Sequence, residues 1–269
     1  IRWLILSAAL GTLHEVHGGR AVADRAVASA KRAIALMSAE EAAQSGAWSS
    51  VGLQLWARFK AYGDLHDLER AIESFERQVR DGEAGHPQRV GWLTNLGLGL
   101  HTRFTRVGRR ADLEQSIVAL AAAEAGLTPG SKDRVVVHST YGTALIARFS
   151  RDGAMADFDL GTAQIRLALE ASPDAPRTAA AWTNLAVALL EGERRGQASA
   201  LLAEARDALC RALALTAKGS VDEAIRRGNL ATVHRRLWRL HGDDADEREA
   251  RAQYRQAVAI GEGASWEAA

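Results

Sequence analysis

The chain has 269 residues, of which 54 are alanine and only 4 are proline. Alanine is the strongest helix former and proline the strongest helix breaker, whereas the aromatic residues that strands favour supply only 6% of the chain. This composition disfavours a sheet-based enzyme and favours an all-α protein. The 34 basic and 33 acidic side chains nearly cancel, so no overall charge favours a nucleic-acid or membrane partner.

A repeat of about 45 residues organises the chain. In three consecutive copies the same six residue types stand at the same spacing: glycine, leucine, arginine, phenylalanine, a second glycine and aspartate. The copies consist of Gly52, Leu55, Arg58, Phe59, Gly63 and Asp67, then Gly97, Leu100, Arg103, Phe104, Gly108 and Asp112, then Gly142, Leu145, Arg148, Phe149, Gly153 and Asp157. Because so many shared positions are hard to obtain by chance, we predict a repeat protein.

Weaker copies lie on both sides of these three. One precedes them around Ala8, and two follow, with Ala186 and Ala231 in the place of the first glycine. In chain order we therefore predict six units within a single repeat domain, over residues 1–44, 45–86, 87–131, 132–176, 177–218 and 219–262. Because the sequence starts at Ile1 rather than at Met and neither end shows an obvious polar capping helix, we expect an excerpt of a longer chain.

Each unit is predicted to form two helices joined by a turn. In the third unit, apolar residues recur at three- and four-residue steps on both sides of a break at Gly108. The first glycine of the repeat is interpreted as the point of closest helix approach, and the phenylalanine as a packing residue. These structural positions are Gly52, Gly97, Gly142, Phe59, Phe104 and Phe149. The repeated arginines are expected to pair with the repeated aspartates rather than to form a row of anion sites.

The fifth unit resembles a known family. The run Trp182-Thr183-Asn184-Leu185-Ala186 with Leu189, followed by Ala198, Leu202 and Ala205, resembles the tetratricopeptide repeat, whose usual period is about 34 residues. We interpret the longer period here as one added turn in the first helix and a longer loop between the helices. The resemblance implies an all-α, right-handed superhelical solenoid whose first helices line a concave groove. HEAT or armadillo arrays share the longer period and stay the alternative.

The third unit carries a narrower resemblance. The segments Asn95-Leu96-Gly97, Arg103-Phe104 and Gly108 to Leu113 resemble the repeats found beside caspase-like CHAT peptidase domains in bacterial proteins. This resemblance implies that the chain is the recognition or sensor arm of a larger bacterial protein. The His–Cys dyad of that family belongs to its peptidase domain, which no stretch here resembles, so no catalytic residue is carried over.

The sequence shows no constellation for catalysis, metal binding or cofactor binding. Cys210, the only thiol, is predicted to be a buried structural residue because it stands mid-helix among apolar residues. His14 and His17 lack a third ligand and are predicted to lie at a solvated helix end. We therefore predict no enzyme activity, no cofactor and no metal. The lone cysteine indicates a reducing, cytoplasmic compartment, and no apolar run approaches the roughly 20 residues of a membrane span.

Positions off the buried stripe of the first helices are the candidate partner contacts, by analogy with the tetratricopeptide pattern. An asparagine row suits an extended peptide backbone because the side-chain amide both donates and accepts hydrogen bonds. The candidates are Asn95, Asn184 and Asn229, with Trp56 and Leu190 as anchors and His101 at the same repeat position. Arg235 and Arg239 stand in a basic sixth unit that also holds Arg226, Arg227 and Arg236.

These candidates favour a scaffold that binds a protein or peptide partner, which could be an effector domain in the same full-length chain. Two alternatives stay open. One is a receptor for a peptide or small signal ligand. The other is a weak nucleic-acid binder that acts through the basic sixth unit.

Overall fold

A computed structural model describes residues 2–170, 175–194 and 200–266. Within these ranges the chain forms α-helices, one short 3₁₀ turn over Pro176–Thr178, and no strand. The predicted all-α class is therefore confirmed. No helix in the described ranges is both long enough and apolar enough to cross a bilayer.

The helices follow one another in antiparallel pairs, with one short extra helix, α3, between the first two pairs. In chain order they are α1 (Arg2–His17), α2 (Arg20–Ala35), α3 (Ala39–Gln44), α4 (Ala47–Tyr62), α5 (Leu65–Asp81), α6 (Arg89–Val107), α7 (Arg110–Ala125), α8 (Arg134–Asp152), α9 (Met155–Glu170), α10 (Ala179–Arg194), α11 (Ala200–Ala214), α12 (Val221–His241) and α13 (Asp244–Trp266). We call α1, α4, α6, α8, α10 and α12 the first helices, and α2, α5, α7, α9, α11 and α13 the second helices.

The chain divides into two compact regions, an N-terminal region (Ile1–Asp133) and a C-terminal region (Arg134–Ala269). Inside each region a first helix packs against its own second helix, and that second helix packs against the next first helix, as α2 does on α4 and α9 does on α10. This is how stacked helical repeats bury a continuous core. The predicted single repeat domain, with its six boundaries, stays a prediction.

The turns inside the pairs are shorter than the sequence suggested. Gly63 ends α4 and Gly108 ends α6, each in the left-handed conformation at φ 75° and 76°, which a glycine adopts without steric cost. One more residue then leads into the second helix. The expected longer loop between the helices of a pair is therefore wrong there. The added length lies in first helices of 16–21 residues and in the connections between pairs, such as the one that carries α3.

The first glycine of the repeat lies where two helices approach most closely. At Gly142 an added Cβ would lie 2.6 Å from the backbone oxygen of Gly161, and at Gly97 it would lie 2.5 Å from Cγ of Leu120. At Gly52 it would overlap the ring of Phe75. Any side chain here would push the second helix away from the first. The repeat therefore needs its smallest residue at this point.

The phenylalanines one turn further along do not share one environment. Phe59 and Phe149 are buried, and Phe149 packs 5.2 Å from Phe158, measured between ring centroids. Phe104 is only partly buried and lies beside His101 on the same helix. Two of the three therefore occupy the core, and the third lies at its edge.

Candidate partner-binding face

An arginine–aspartate fork fixes each of the three regular pairs. Arg103 donates from Nε and Nη2 to the two carboxylate oxygens of Asp112, both at 2.7 Å. Arg58 does the same to Asp67 at 2.7 and 2.5 Å, and Arg148 to Asp157 at 2.8 and 2.7 Å. All three aspartates are buried. Hydrogen bonding by Asp112 holds the pKa of the Arg103 guanidinium above its usual value.

These forks explain why the two residue types recur together. Two parallel charge-assisted hydrogen bonds set both distance and orientation, so each fork orients a first helix relative to the first turn of its second helix. The aspartates lie in that first helical turn rather than in a loop, where negative charge also suits the helix dipole. The expected pairing is present in all three copies, so these arginines serve the fold.

Two of the candidate asparagines join neighbouring first helices. The side-chain amide of Asn95 on α6 donates to the hydroxyl of Ser49 on α4, at 3.2 Å. Asn184 on α10 makes the same 3.2 Å bond to Ser139 on α8. Asn229 is half-buried, and the equivalent hydroxyl, that of Thr183, accepts from Arg226 instead. The asparagine row thus fixes the spacing of first helices, and each amide keeps further hydrogen-bonding capacity.

A pocket opens beside Asn95 in the N-terminal region. Its volume is about 420 Å³, within the range of ligand pockets. Its walls come from the start of α4, with Ser49, Ser50 and Leu53, and from the start of α6, with Trp92 and Asn95. Lys132 and Asp133 also line the pocket, so it presents one positively and one negatively charged side chain to a ligand.

Trp56 and His101 occupy the same repeat position on α4 and α6. Both are partly buried, and Nε1 of Trp56 and Nε2 of His101 are covered without a hydrogen-bond partner among the described residues. The ammonium group of Lys60 lies 4.5 Å from the centroid of the Trp56 ring. Burial lowers the pKa of His101, which favours the neutral imidazole.

Leu190 does not lie on an open surface. It is 7% exposed and belongs to the core of the C-terminal region, where it packs with Leu189 and Leu237. The predicted role of Leu190 as a partner anchor is therefore wrong. The side chain of Leu190 is covered by apolar residues of the neighbouring helix pair.

Most of the arginines on α12, in the basic sixth unit, are buried or form ion pairs within the chain. Arg226 is 7% exposed, Arg227 pairs with Glu223, and Arg236 pairs with Glu193. Arg235 and Arg239 are exposed, and neither makes an ion pair or side-chain hydrogen bond within the described ranges. Of the five arginines of α12 named above, Arg235 and Arg239 are the two left exposed and without an ion pair, which weakens the nucleic-acid alternative.

Cys210 is exposed, and the prediction of a buried structural cysteine is wrong. The buried stripe of α11 is formed by Leu202, Ala205, Ala208, Leu209 and Ala212, and Cys210 lies beside it. Partial desolvation, and then the nearby Asp207, raise the pKa of its thiol. The thiol therefore lacks the activation that a nucleophile requires.

The histidines of α1 differ from the expected solvated helix end. His17 is exposed, but His14 is buried beneath α4, with its ring centroid 5.8 Å from that of Tyr62. That part of the prediction is wrong, because α1 packs on α4 and covers the His14 ring. Among the described residues, no cluster of three or more histidine, cysteine or acidic side chains is placed to hold a metal ion.

The fold places the chain in the class of tetratricopeptide-like helical repeats. No family model matches the sequence, and no curated protein matches it at a significant level. Among solved structures, BtubC (BKLC) from P. vanneervenii matches with a TM-score of 0.59 and 18% identity, over 90% of this chain and 92% of that one.

Two further structures match less closely. A MamA fragment (41-end) from Desulfovibrio magneticus RS-1 gives a TM-score of 0.50 and 13% identity, over 80% of this chain and 96% of that one. The Assembly Chaperone of RpL4 (Acl4, residues 1–338) gives a TM-score of 0.50 and 16% identity, over 99% of each chain. At these identities the likenesses establish the fold alone. The association with a CHAT peptidase stays a prediction.

Proposed function

We propose that this chain is a non-catalytic scaffold that binds a peptide or protein partner along its first helices. The observation that carries the proposal is the pocket beside Asn95, which opens on the first helices α4 and α6. A site between neighbouring repeats is where a stacked helical array offers a concave surface. Asn184, Asn229, Arg235 and Arg239 remain proposed contacts of the C-terminal region, separate from the peptide site beside Asn95.

The chemistry of the pocket suits an extended peptide. One amide hydrogen of Asn95 is used by Ser49, which leaves the second hydrogen and the carbonyl oxygen for a peptide backbone. The Leu53 side chain is 38% exposed and supplies apolar contact at the wall. Trp56 and His101 extend the same flank of the helices, where a small side-chain movement would let a partner satisfy their covered polar atoms.

Selection from a random peptide library tests the proposal and requires no assumption about which protein is the partner. Phage-displayed peptides are selected on the immobilised chain, and the enriched peptides are resynthesised and measured by fluorescence anisotropy. We expect saturable binding to the chain and no turnover of any selected peptide during prolonged incubation. Cleavage of a peptide by the purified chain, or a failure to enrich any sequence over an empty matrix, would contradict the proposal.

We further propose that the scaffold is the recognition arm of a larger bacterial protein with a CHAT-like peptidase, located in the cytoplasm. The third repeat unit, with Asn95-Leu96-Gly97 and Arg103-Phe104, supports the peptidase association because it resembles CHAT-associated repeats. The lone cysteine supports a reducing compartment. Reading the gene beyond Ala269 tests the arrangement. A His–Cys peptidase domain there is the expected result, and a full-length gene without one removes this part of the proposal.

A further inference from the structure

A second concave site lies on the other side of α4 from Ser49 and Asn95. It is a crevice of about 390 Å³ between α2, α4 and α5 in the N-terminal region. Its apolar lining includes Ile34, Val51 and Leu55, and Trp48 provides an aromatic wall. Because two second helices frame this crevice, it does not belong to the first-helix face described above.

Three cations and one acid line the same crevice: Lys31, Arg70, Arg77 and Glu73. The Arg77 guanidinium stacks 4.0 Å from the centroid of the Trp48 ring and also pairs with Asp81. Lys31 and Arg70 make no side-chain ion pair or hydrogen bond with any residue in the described ranges. The crevice therefore combines an apolar floor with two positive charges that form no ion pair among the described residues.

The C-terminal region contains an equivalent crevice in which the cation is paired with a carboxylate. It lies between α9, α10 and α11 and has a volume of about 300 Å³. Trp182 stands where Trp48 stands in the repeat, and Arg211 stacks 4.8 Å from its ring centroid as Arg77 does on Trp48. Across this crevice, Arg166 donates to Glu204 at 2.9 Å.

The two crevices differ at two charged positions: Glu204 stands where the first crevice has Arg70, and Glu170 stands where it has Ala35. Lys31 and Arg166 occupy the same repeat position, so the cation on the preceding second helix is kept. Arg70 and Glu204 both follow the small residue of their own pair, Gly52 and Ala186, by 18 positions. The carboxylate that neutralises the cation in one crevice is thus replaced by a guanidinium in the other.

This replacement leaves like charges facing each other. Partial burial, and then the nearby Arg70 and Arg58, lower the pKa of Lys31. Glu73 is exposed and pairs with neither cation. Lys31 is partly buried and also feels the carboxylate of Asp67, whereas Arg70 is exposed at the rim. A ligand that places a negative charge between the two cations relieves their repulsion.

We propose that the crevice between α2, α4 and α5 binds a carboxylate-bearing segment of a protein partner. The carboxylate lies between Lys31 and Arg70, where Glu204 lies in the other crevice, and an adjacent apolar side chain packs on Trp48. Glu73 at the rim repels a polyanion such as a nucleic acid, whereas a single carboxylate on an apolar body fits the lining. This site is separate from the Asn95 pocket, so both can be occupied at once.

The test uses two short synthetic peptides, acetyl-Gly-Leu-Glu-Leu-Gly-amide and its glutamine counterpart. Binding to the ¹⁵N-labelled chain is followed by NMR at the indole N–H of Trp48, assigned with Trp48→Phe. We expect the glutamate peptide to bind at least tenfold more tightly than the glutamine peptide. Equal binding of the two peptides, or displacement of the glutamate peptide by equimolar inorganic phosphate, would overturn the proposal.

Two charge variants make the test reciprocal. Arg70→Glu should reduce binding of the glutamate peptide at least tenfold, because the new carboxylate would pair with Lys31 as Glu204 pairs with Arg166 in the other crevice. Glu204→Arg should create a new site for the same peptide, seen at the indole of Trp182. Unchanged binding in Arg70→Glu would contradict the assignment. Leu53→Asp, in the Asn95 pocket, should leave this binding unchanged, so failure here is distinguishable from failure of the proposed scaffold function.

Discussion

Arg103 on α6 holds Asp112 on α7 through two parallel hydrogen bonds of 2.7 Å. Because Asp112 is buried, Asp112→Asn removes the neutralising charge and turns one of the two acceptor oxygens into an NH2 group that faces the guanidinium as a second donor. We expect Asp112→Asn to lower the free energy of unfolding by about 2–3 kcal/mol, as measured by urea denaturation followed by circular dichroism. The matched control is Asp81→Asn on the exposed end of α5, where the loss should stay below about 1 kcal/mol. Equal losses in the two variants would show that the fork is not structural.

Gly97→Ala tests the close approach of α6 and α7. The added methyl would lie 2.5 Å from Cγ of Leu120, so we expect a loss of about 1–3 kcal/mol in the free energy of unfolding. Gly91→Ala, in the same helix, meets nothing within 4 Å and should be neutral or stabilising by up to about 1 kcal/mol. If Gly97→Ala is as stable as Gly91→Ala, the glycine does not set the helix spacing.

His101 should make the fold sensitive to mild acid. Its pKa is lowered in the folded chain by burial, so the unfolded chain takes up a proton first as the pH falls through about 6.5. Stability due to this residue is therefore full above that pH and declines below it. We expect the fall in melting temperature between pH 7.5 and pH 5.5 to be smaller in His101→Gln than in the parent chain. His66→Gln, at an exposed position of α5, is the control and should behave like the parent.

Arg70→Glu should stabilise the folded chain as well as neutralise the charge of Lys31 in the crevice. It replaces a repulsion with Lys31 by the attraction seen between Arg166 and Glu204. For a partly exposed pair we expect a gain of about 0.3–1 kcal/mol, measured by urea denaturation. Arg70→Gln removes the repulsion alone and should fall between the parent and Arg70→Glu. A destabilised Arg70→Glu would argue against the equivalence of the two crevices.

Cys210 gives a simple check of the face that α11 presents. An exposed thiol reacts with Ellman's reagent in the native chain, whereas a buried one reacts only after denaturation. We expect one equivalent to react under native conditions at pH 7.5, more slowly than free cysteine because the raised pKa of the thiol limits the thiolate. A native chain that reacts only in guanidinium would contradict the described orientation of α11.

Repetition determined what the sequence could predict. Gly97, Arg103 and Asp112 recur in neighbouring copies, and a residue repeated in every unit serves the unit, so their structural roles were readable from spacing alone. The all-α class followed from composition and periodicity. These features depend on contacts within one helix pair, and the regular pairs make the same contacts.

Features that depend on neighbouring pairs were not predictable in the same way. Leu190 and His14 are buried by an adjacent helix pair, and Cys210 is exposed because the buried stripe of α11 passes beside it. A signal for the second crevice was nonetheless present in the sequence. It was the change from Glu204 to Arg70 at one repeat position, which stands out only once the two helices that face it are known.

The central claim is that a partner binds along the first helices at the pocket beside Asn95. Its most direct test compares Leu53→Asp with Val187→Asp, since these residues share a repeat position and are 38% and 40% exposed, but only Leu53 lines that pocket. Dissociation constants are measured for the selected peptides by fluorescence anisotropy. We predict at least a tenfold weakening in Leu53→Asp, about 1.4 kcal/mol, and less than a twofold change in Val187→Asp. Equal affinity of both variants and the parent would contradict the claim.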